Sequence, residues 1–388
     1  MSRLGQGEED GISLHVDRKS GELTLSTSET TDDGCRPGEL STARLLLRES
    51  EPLNLESPFA ELSARVTPSE LFYVRSHFPV PEIDASRWRL TVRGLREISF
   101  GLEELRQMPA ETRTVTLECA GNGRVALTPS VDGVQWHLGA VSTAEWTGVP
   151  LTAVLERAGV PPGSVEVVFE GADRGKPRAT PRPPGPIAYT HGVPVEHAGD
   201  VLLAWAMNGE PLSREHGFPL RAVVSGYYAM VAVKWLTRIQ VLREPFQGYY
   251  KTTDYAYWDD SHGIPEQRPL ARMPLKSQIA RPVAGEVVRA GSTVMVVGAA
   301  WTGGAPVERV EVSADGGATW QTAEILDEHE HGVWRRWQWA WRVPAKTGEY
   351  ALMSRAVDRE GQMQPAERDP RFGTYCIHHS VPVVVRVR

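Results

Sequence analysis

Apolar and polar residues alternate along several short stretches of the chain, and the period changes from place to place. In residues 114–119 (TVTLEC), Val115, Leu117 and Cys119 fall on one face of a predicted strand and Thr116 and Glu118 on the other. The same two-residue period marks strands over 88–92 and 165–169, whereas apolar residues three and four apart predict short helices over 102–108 and 151–158. This mixture predicts an α+β domain without a regular βαβ array. Past a polar stretch punctuated by Pro265, Pro269 and Pro274 the helical period disappears. Residues 309–313 alternate into the hairpin turn 314–317 (ADGG), and Trp337, Trp339 and Trp341 share one face of a strand. With further strands over 294–297, 350–357 and 383–387, the pattern predicts an all-β immunoglobulin-like sandwich. The chain thus divides into a loosely constrained arm over 1–65, the α+β domain over 66–264 and the sandwich over 265–388.

At 388 residues and 41% hydrophobic content the chain can bury more than one sizeable core. No apolar run approaches the ~20 residues of a membrane-spanning helix, so no membrane partner is expected. A formal net charge of −7 argues against a nucleic-acid partner, which requires a basic stripe. The first ten residues carry no twin arginine, apolar core or small-residue cleavage site, which reads as a cytoplasmic chain. Cys35, Cys119 and Cys376 are too scattered for a disulfide framework or a structural zinc site, so free thiols are expected. His329 and His331 sit in a polar segment without a third ligand and read as hairpin decoration. Walker, GxSxG and HExxH motifs are missing from the sequence, which leaves nucleotide hydrolysis, esterase and zinc-peptidase chemistry unsupported.

The run 114–124 concentrates the candidate chemistry. Cys119 ends a strand facing inward, Gly121 and Gly123 allow a tight turn, and Arg124 returns beside the sulfur. A thiolate suits a soft or high-valent metal, and a guanidinium is a fixed fork for an oxyanion. This run resembles the cofactor-cysteine motif of the sulfite oxidase family. Further matches follow in order: 71–77 (LFYVRSH), 134–136 (VQW), 139–146 (GAVSTAEW), 201–212 (VLLAWAMNGEPL), 216–221 (HGFPLR) and 233–235 (VKW). The resemblance implies molybdenum carried by a single molybdopterin, with Cys119 as the metal ligand. It implies that Arg75 and Arg124 bind the oxyanion, that Tyr255 assists as the active-site phenol, and that Trp136 closes the pocket. Pterin contacts are implied at Tyr73, Val74, Arg75, Ser76, His77, Asp173, His216, Arg221, Ala232, Val233 and Lys234. Trp136 reads equally as a core tryptophan, Asp173 as a turn residue, and Tyr257 and Trp258 compete with Tyr255.

The implied reaction is oxidation of sulfite to sulfate at a cysteine-ligated oxo-molybdenum centre, with electrons leaving to a separate acceptor because no haem domain is recognisable. Six tryptophans after residue 300 exceed the needs of one small sandwich, and with the resemblance they predict a homodimer formed through it. The family carries a third substrate arginine after a segment matching 357–365 (VDREGQMQP). Here residues 370–380 read PRFGTYCIHHS, so Arg371 is offset and Tyr375 or His378 takes the place. Sulfite therefore competes with another small oxyanion or an S- or N-oxide as substrate. Two other classes stay open on the residues alone: a metal-free thiol enzyme using Cys119 as nucleophile, and a non-catalytic anion-binding protein.

Overall fold

A computed structural model describes residues 44–388 together with the paired strands Ile12–Val16 and Leu23–Thr27. Cys35 lies outside the described residues. The described chain is mostly β: its α-helices are Leu102–Arg106 and Leu151–Ala158, five and eight residues long, so the expected α+β balance is corrected toward strands. Each helix is cut short by its flanks. In the longer one, Leu151, Val154, Leu155 and Ala158 form the buried stripe, and Gly159, at φ +74°, ends it by donating to the Leu155 carbonyl. Each large buried side chain of that stripe contributes about 1.5–3 kcal/mol, so Val154→Asp would weaken the packing of the helix on strands Leu90–Arg93, Val141–Pro150 and Val201–Met207.

Two five-stranded sheets frame the first large unit. One runs Ile187–Pro194, Glu166–Gly175, Leu236–Leu242, Leu90–Arg93, Glu97–Phe100, with a parallel pairing only between Leu236–Leu242 and Leu90–Arg93. The other orders Glu210–Pro211, Val201–Met207, Val141–Pro150 and Glu111–Glu118, with Arg221–Val224 also pairing Val201–Met207. Strands Leu46–Glu49 and Asn54–Glu56 pair in sequence, and the second pairs Val74–Arg75. The later part of the expected arm is thus built into the body that carries Arg75.

Beyond residue 270 two further sheets face each other. Lys276–Arg281, Thr293–Trp301, Arg335–Arg342 and Glu324–Ile325 form one, and Val287–Val288, Val383–Val387, Gly348–Asp358, Val307–Ser313 and Gln321–Thr322 the other. Their core includes Val296, Val310, Trp337, Trp341, Leu352 and Val385. The expected surplus of aromatic surface is largely spent inside the chain. Trp301 and Trp334 are 1% and 2% exposed and belong to the core of the first unit, where Trp334 Nε1 donates to the Arg65 carbonyl. The second half of strand Glu111–Glu118 is consequently buried on both faces: Val115 and Leu117 on one, Thr116 and Glu118, at 0% and 1% exposure, on the other.

Candidate active site

One cavity gathers residues from six separate parts of the chain: 72–77, 117–120, Asp173, Tyr189, 216–235 and Tyr255. Cys119 follows the last residue of strand Glu111–Glu118 and is buried with its neighbours Val115 and Leu117. The turn after it closes through hydrogen bonds from Asn122 N to the Cys119 carbonyl and from Arg124 N to the Gly121 carbonyl. Gly123 adopts φ +95°, which favours glycine, and a side chain at Gly121 would displace the Arg124 guanidinium.

Arg75 reaches the cavity from the short strand Val74–Arg75. Its hydrogen bonds, to Asn54 Oδ1 at 3.4 Å and to the Ser76 carbonyl, use Nη1 alone. Tyr255 is delivered by the π-helical turn Tyr250–Asp254, which Lys251 fixes by contacting both carboxylate oxygens of buried Glu166 at 2.6 Å. Its hydroxyl lies 2.7 Å from His77 Nε2. Burial holds the Tyr255 phenol above its ordinary pKa against the opposing pull of Arg75, so it stays protonated. Burial, followed by Arg75 and Lys234, pushes His77 down, and burial, followed by Arg221 and Lys234, pushes His216 down. Both imidazoles are neutral at neutral pH.

At the other end, Lys234 Nζ donates to the Glu215 carbonyl at 2.7 Å and to Ser76 Oγ at 3.2 Å. Arg221 donates from Nη1 to the His216 carbonyl at 3.1 Å and from Nη2 to the Ala232 carbonyl at 3.2 Å, and stacks 4.8 Å from the Trp146 ring centroid. Arg221 Nε and His216 Nε2 are buried without a partner. Buried polar atoms of this kind cost stability unless something fills them. Asp173 enters where strand Glu166–Gly175 bulges after Glu170. Burial raises its carboxyl to about 7, with Lys234 pulling the other way. The folded state therefore binds more protons than the unfolded one between pH ~4 and ~7, and this group's contribution falls as pH rises through that window. In cofactor-free protein, Asp173→Asn should gain melting temperature relative to wild type more at pH 7.5 than at pH 4.5. An equal gap at both values would refute this.

Most of the expected residues meet here: Tyr73, Arg75, Ser76, His77, Cys119, Asp173, His216, Arg221, Ala232, Lys234 and Tyr255 all line the cavity. Four do not. Val74 packs against Leu45 and Leu55, and Val233 lies in the main core, because each alternates away from its cavity-lining neighbours. Trp136 is fully buried, edge-on to Tyr73 at 6.4 Å, and packs in the same cluster as Cys119 and Tyr73. Arg124 spends its guanidinium on the Thr374 and Val134 carbonyls and sits 5.3 Å from the Tyr375 ring centroid. Arg371 pairs with Asp369 and Asp259 on an exposed surface, and His378 Nδ1 lies 2.9 Å from the Cys376 carbonyl. Tyr375 stands beside the site instead: its ring is 4.8 Å from Tyr255 and its hydroxyl donates to Asp254 Oδ1 at 2.7 Å. Tyr257 and Trp258 lie beyond, on the hairpin of Ala256–Asp259 with Glu266–Pro269, and Trp258 is 58% exposed. His329 and His331 form no metal cluster, and none of three or more candidate ligands occurs among the described residues.

Sequence reasoning passed over Tyr189 and Trp235. Tyr189 stacks 4.4 Å from His77 and donates to the Met230 carbonyl, but inside its strand nothing local distinguishes it from a core tyrosine. Trp235, at φ +50°, donates from Nε1 to the Arg214 carbonyl, and its place beside Lys234 was the available signal.

Residues 77–250 match the family model described as oxidoreductase molybdopterin binding domain, and 267–372 that described as Mo-co oxidoreductase dimerisation domain. Mitochondrial sulfite oxidase of Rattus norvegicus is 36% identical over 371 residues, covering 90% of this chain and 65% of that protein, so the chain spans about two thirds of that relative. Sulfite oxidase of Gallus gallus is 36% identical, covering 92% of this chain and 82% of that protein. The crystal structure of the sulfane dehydrogenase SoxCD from Paracoccus pantotrophus superposes with a TM-score of 0.74 at 28% identity, covering 89% of this chain and 87% of that one. A molybdopterin suits the cavity: Cys119 supplies a soft ligand in its lining, while Lys234, Arg221 and the unpartnered nitrogens Arg221 Nε and His216 Nε2 suit an anionic, hydrogen-bonding pterin. Donor set, sequence kinship and fold agree: this chain belongs to the sulfite oxidase family of molybdenum–molybdopterin oxidoreductases.

Proposed function

We propose that the chain oxidises sulfite to sulfate and releases the two electrons to a separate acceptor: sulfite plus water gives sulfate, two protons and two electrons. The observation that carries this reading is one cavity lined together by the Cys119 thiol, the Arg75 guanidinium and the Tyr255 phenol. When bound, the molybdenum supplies the two-electron redox change and delivers an oxygen atom drawn ultimately from water. Cys119 is the metal's protein ligand. His77, Asp173, His216, Arg221 and Lys234, with Tyr73, Ser76 and Ala232, hold the pterin. Arg75 binds the anion through Nε and Nη2, which make no hydrogen bond among the described residues. Tyr255, kept protonated by burial and oriented by its contact with His77, donates to a substrate oxygen as charge develops there. Arg124 supports from behind, holding Tyr375 under its guanidinium.

The experiment is sulfite-dependent ferricyanide reduction by molybdenum-loaded protein, with sulfate as competitor. Tyr375 in place of a third cation predicts measurable turnover, a high KM and competitive inhibition by sulfate. Loaded protein that turns over no sulfite with any acceptor would move the substrate to another small oxyanion or S-oxide.

The facing sheets beyond residue 270 are read as an immunoglobulin-like sandwich that makes a symmetric homodimer. Support comes from the dimerisation-domain match and from Val283, Val287 and Val384, 38%, 53% and 39% exposed on neighbouring strands and turns. Sedimentation of loaded protein at micromolar concentration should show dimers, and monomer alone would refute this.

A further inference from the structure

The turn that carries Cys119 is gripped from behind by the carboxy-terminal sheets. Glu118 and Lys276, 1% and 3% exposed, form an ion pair of 2.8 Å between Oε1 and Nζ. Glu118 Oε1 also accepts from Asn122 Nδ2 at 3.1 Å, and Oε2 accepts from Trp301 Nε1 at 2.8 Å. Lys276 donates further to the Asn122 carbonyl at 3.3 Å, and Asn122 Nδ2 also donates to Gln278 Oε1 at 3.2 Å. Cys376 N donates to the Ala120 carbonyl at 2.8 Å, and Arg124 Nε to the Thr374 carbonyl at 3.1 Å. Four residues of 118–124 are thus bonded to residues far along the chain, and Glu118 is the covalent neighbour of the thiol.

Stability does not explain this choice of residues. A buried ion pair loses so much hydration that well-packed apolar residues of similar volume hold two surfaces together as well or better. What an ion pair with every oxygen satisfied adds is direction, because each hydrogen bond fixes an angle as well as a distance. We infer that Glu118 and Lys276 are positioning residues for the metal site: the carboxy-terminal unit, through this pair and Trp301, sets the orientation in which Cys119 meets the metal. The inference rests on Cys119 as the thiolate ligand.

The test uses molybdenum-loaded wild type, Lys276→Met, the double variant Glu118→Gln/Lys276→Met, and Trp301→Phe, which keeps an aromatic side chain but removes the indole donor and part of the buried volume. Three quantities are read: kcat and KM, the electron paramagnetic resonance spectrum of dithionite-generated Mo(V), and hydrogen exchange of residues 116–126. Lys276→Met should lower kcat about 10- to 100-fold, the range typical of partners that orient metal ligands, with KM little changed. The double variant should recover the melting temperature lost by Lys276→Met yet keep an altered Mo(V) spectrum, lowered kcat and faster exchange. Trp301→Phe should move all three the same way by less. If Lys276→Met does not fold, the other two variants decide. A wild-type spectrum, kcat and exchange in both overturns the inference, leaving the pair as cement. Cys119→Ser separates the premises. If it changes the Mo(V) spectrum while the pair variants do not, only this inference falls. If it leaves the spectrum untouched, the thiolate assignment falls and this inference with it.

Discussion

Cys119→Ser is expected to leave the fold intact and lower turnover by more than about 100-fold, the upper end of what losing even an outer partner of a metal ligand costs. Serine is nearly the same size, and Cys119 contributes little apolar area, so the surrounding cluster of Val115, Leu117 and Tyr73 keeps its packing. The hydroxyl is a harder, far less acidic donor than the thiol and makes a poor ligand for this metal. Circular dichroism, pterin content and sulfite-dependent ferricyanide reduction on one preparation check the expectation. Full activity in a folded, loaded variant would remove the thiolate from the mechanism and turn attention to another ligand in the cavity.

Arg75→Gln should raise the KM for sulfite by about 10- to 100-fold, because a charge-assisted hydrogen bond in a shielded site contributes ~1.5–3 kcal/mol. The molybdenum content should stay unchanged, since Cys119 and the donors around Lys234 and Arg221 remain. Arg124→Gln provides the contrast. Its guanidinium is engaged by the Thr374 and Val134 carbonyls and by the Tyr375 ring, so the variant should lose stability first and substrate affinity second. Steady-state kinetics beside thermal melts separates the two. Equal KM effects from both arginines would mean that Arg124 turns into the pocket when substrate arrives.

How much of this was legible in advance depended on the range of the interactions. The cysteine turn was readable because strand alternation, two glycines and an arginine lie within eleven residues, and Tyr255 because an ordered motif set its position. Pairings across the fold left no such trace. Lys276 begins a strand, KSQIAR, whose polar sequence does not mark it as buried, and its partner stands 158 residues away. The tryptophans misled for a related reason: composition shows excess aromatic surface without showing that Trp301 and Trp334 cover a strand of the other unit. Val74 and Val233 were included because a motif names consecutive residues, while the folded chain brings only some of them to the cavity.

The crowding of cations at the cofactor end carries a last consequence. Arg75, Arg221 and Lys234 share one enclosure, and after burial itself it is Arg221 that most disfavours a charge on Lys234. Asp173 and Glu215 offset this repulsion only in part in a chain without its cofactor, so an anionic pterin would act as a further counter-ion of the fold. Whatever binds only the native form draws the folding equilibrium with it, by about 2.7 kcal/mol at a hundred times the dissociation constant. Shortage of the cofactor in a cell is then expected to bring faster clearance of the polypeptide by quality-control proteases, a shortfall of abundance added to that of catalysis.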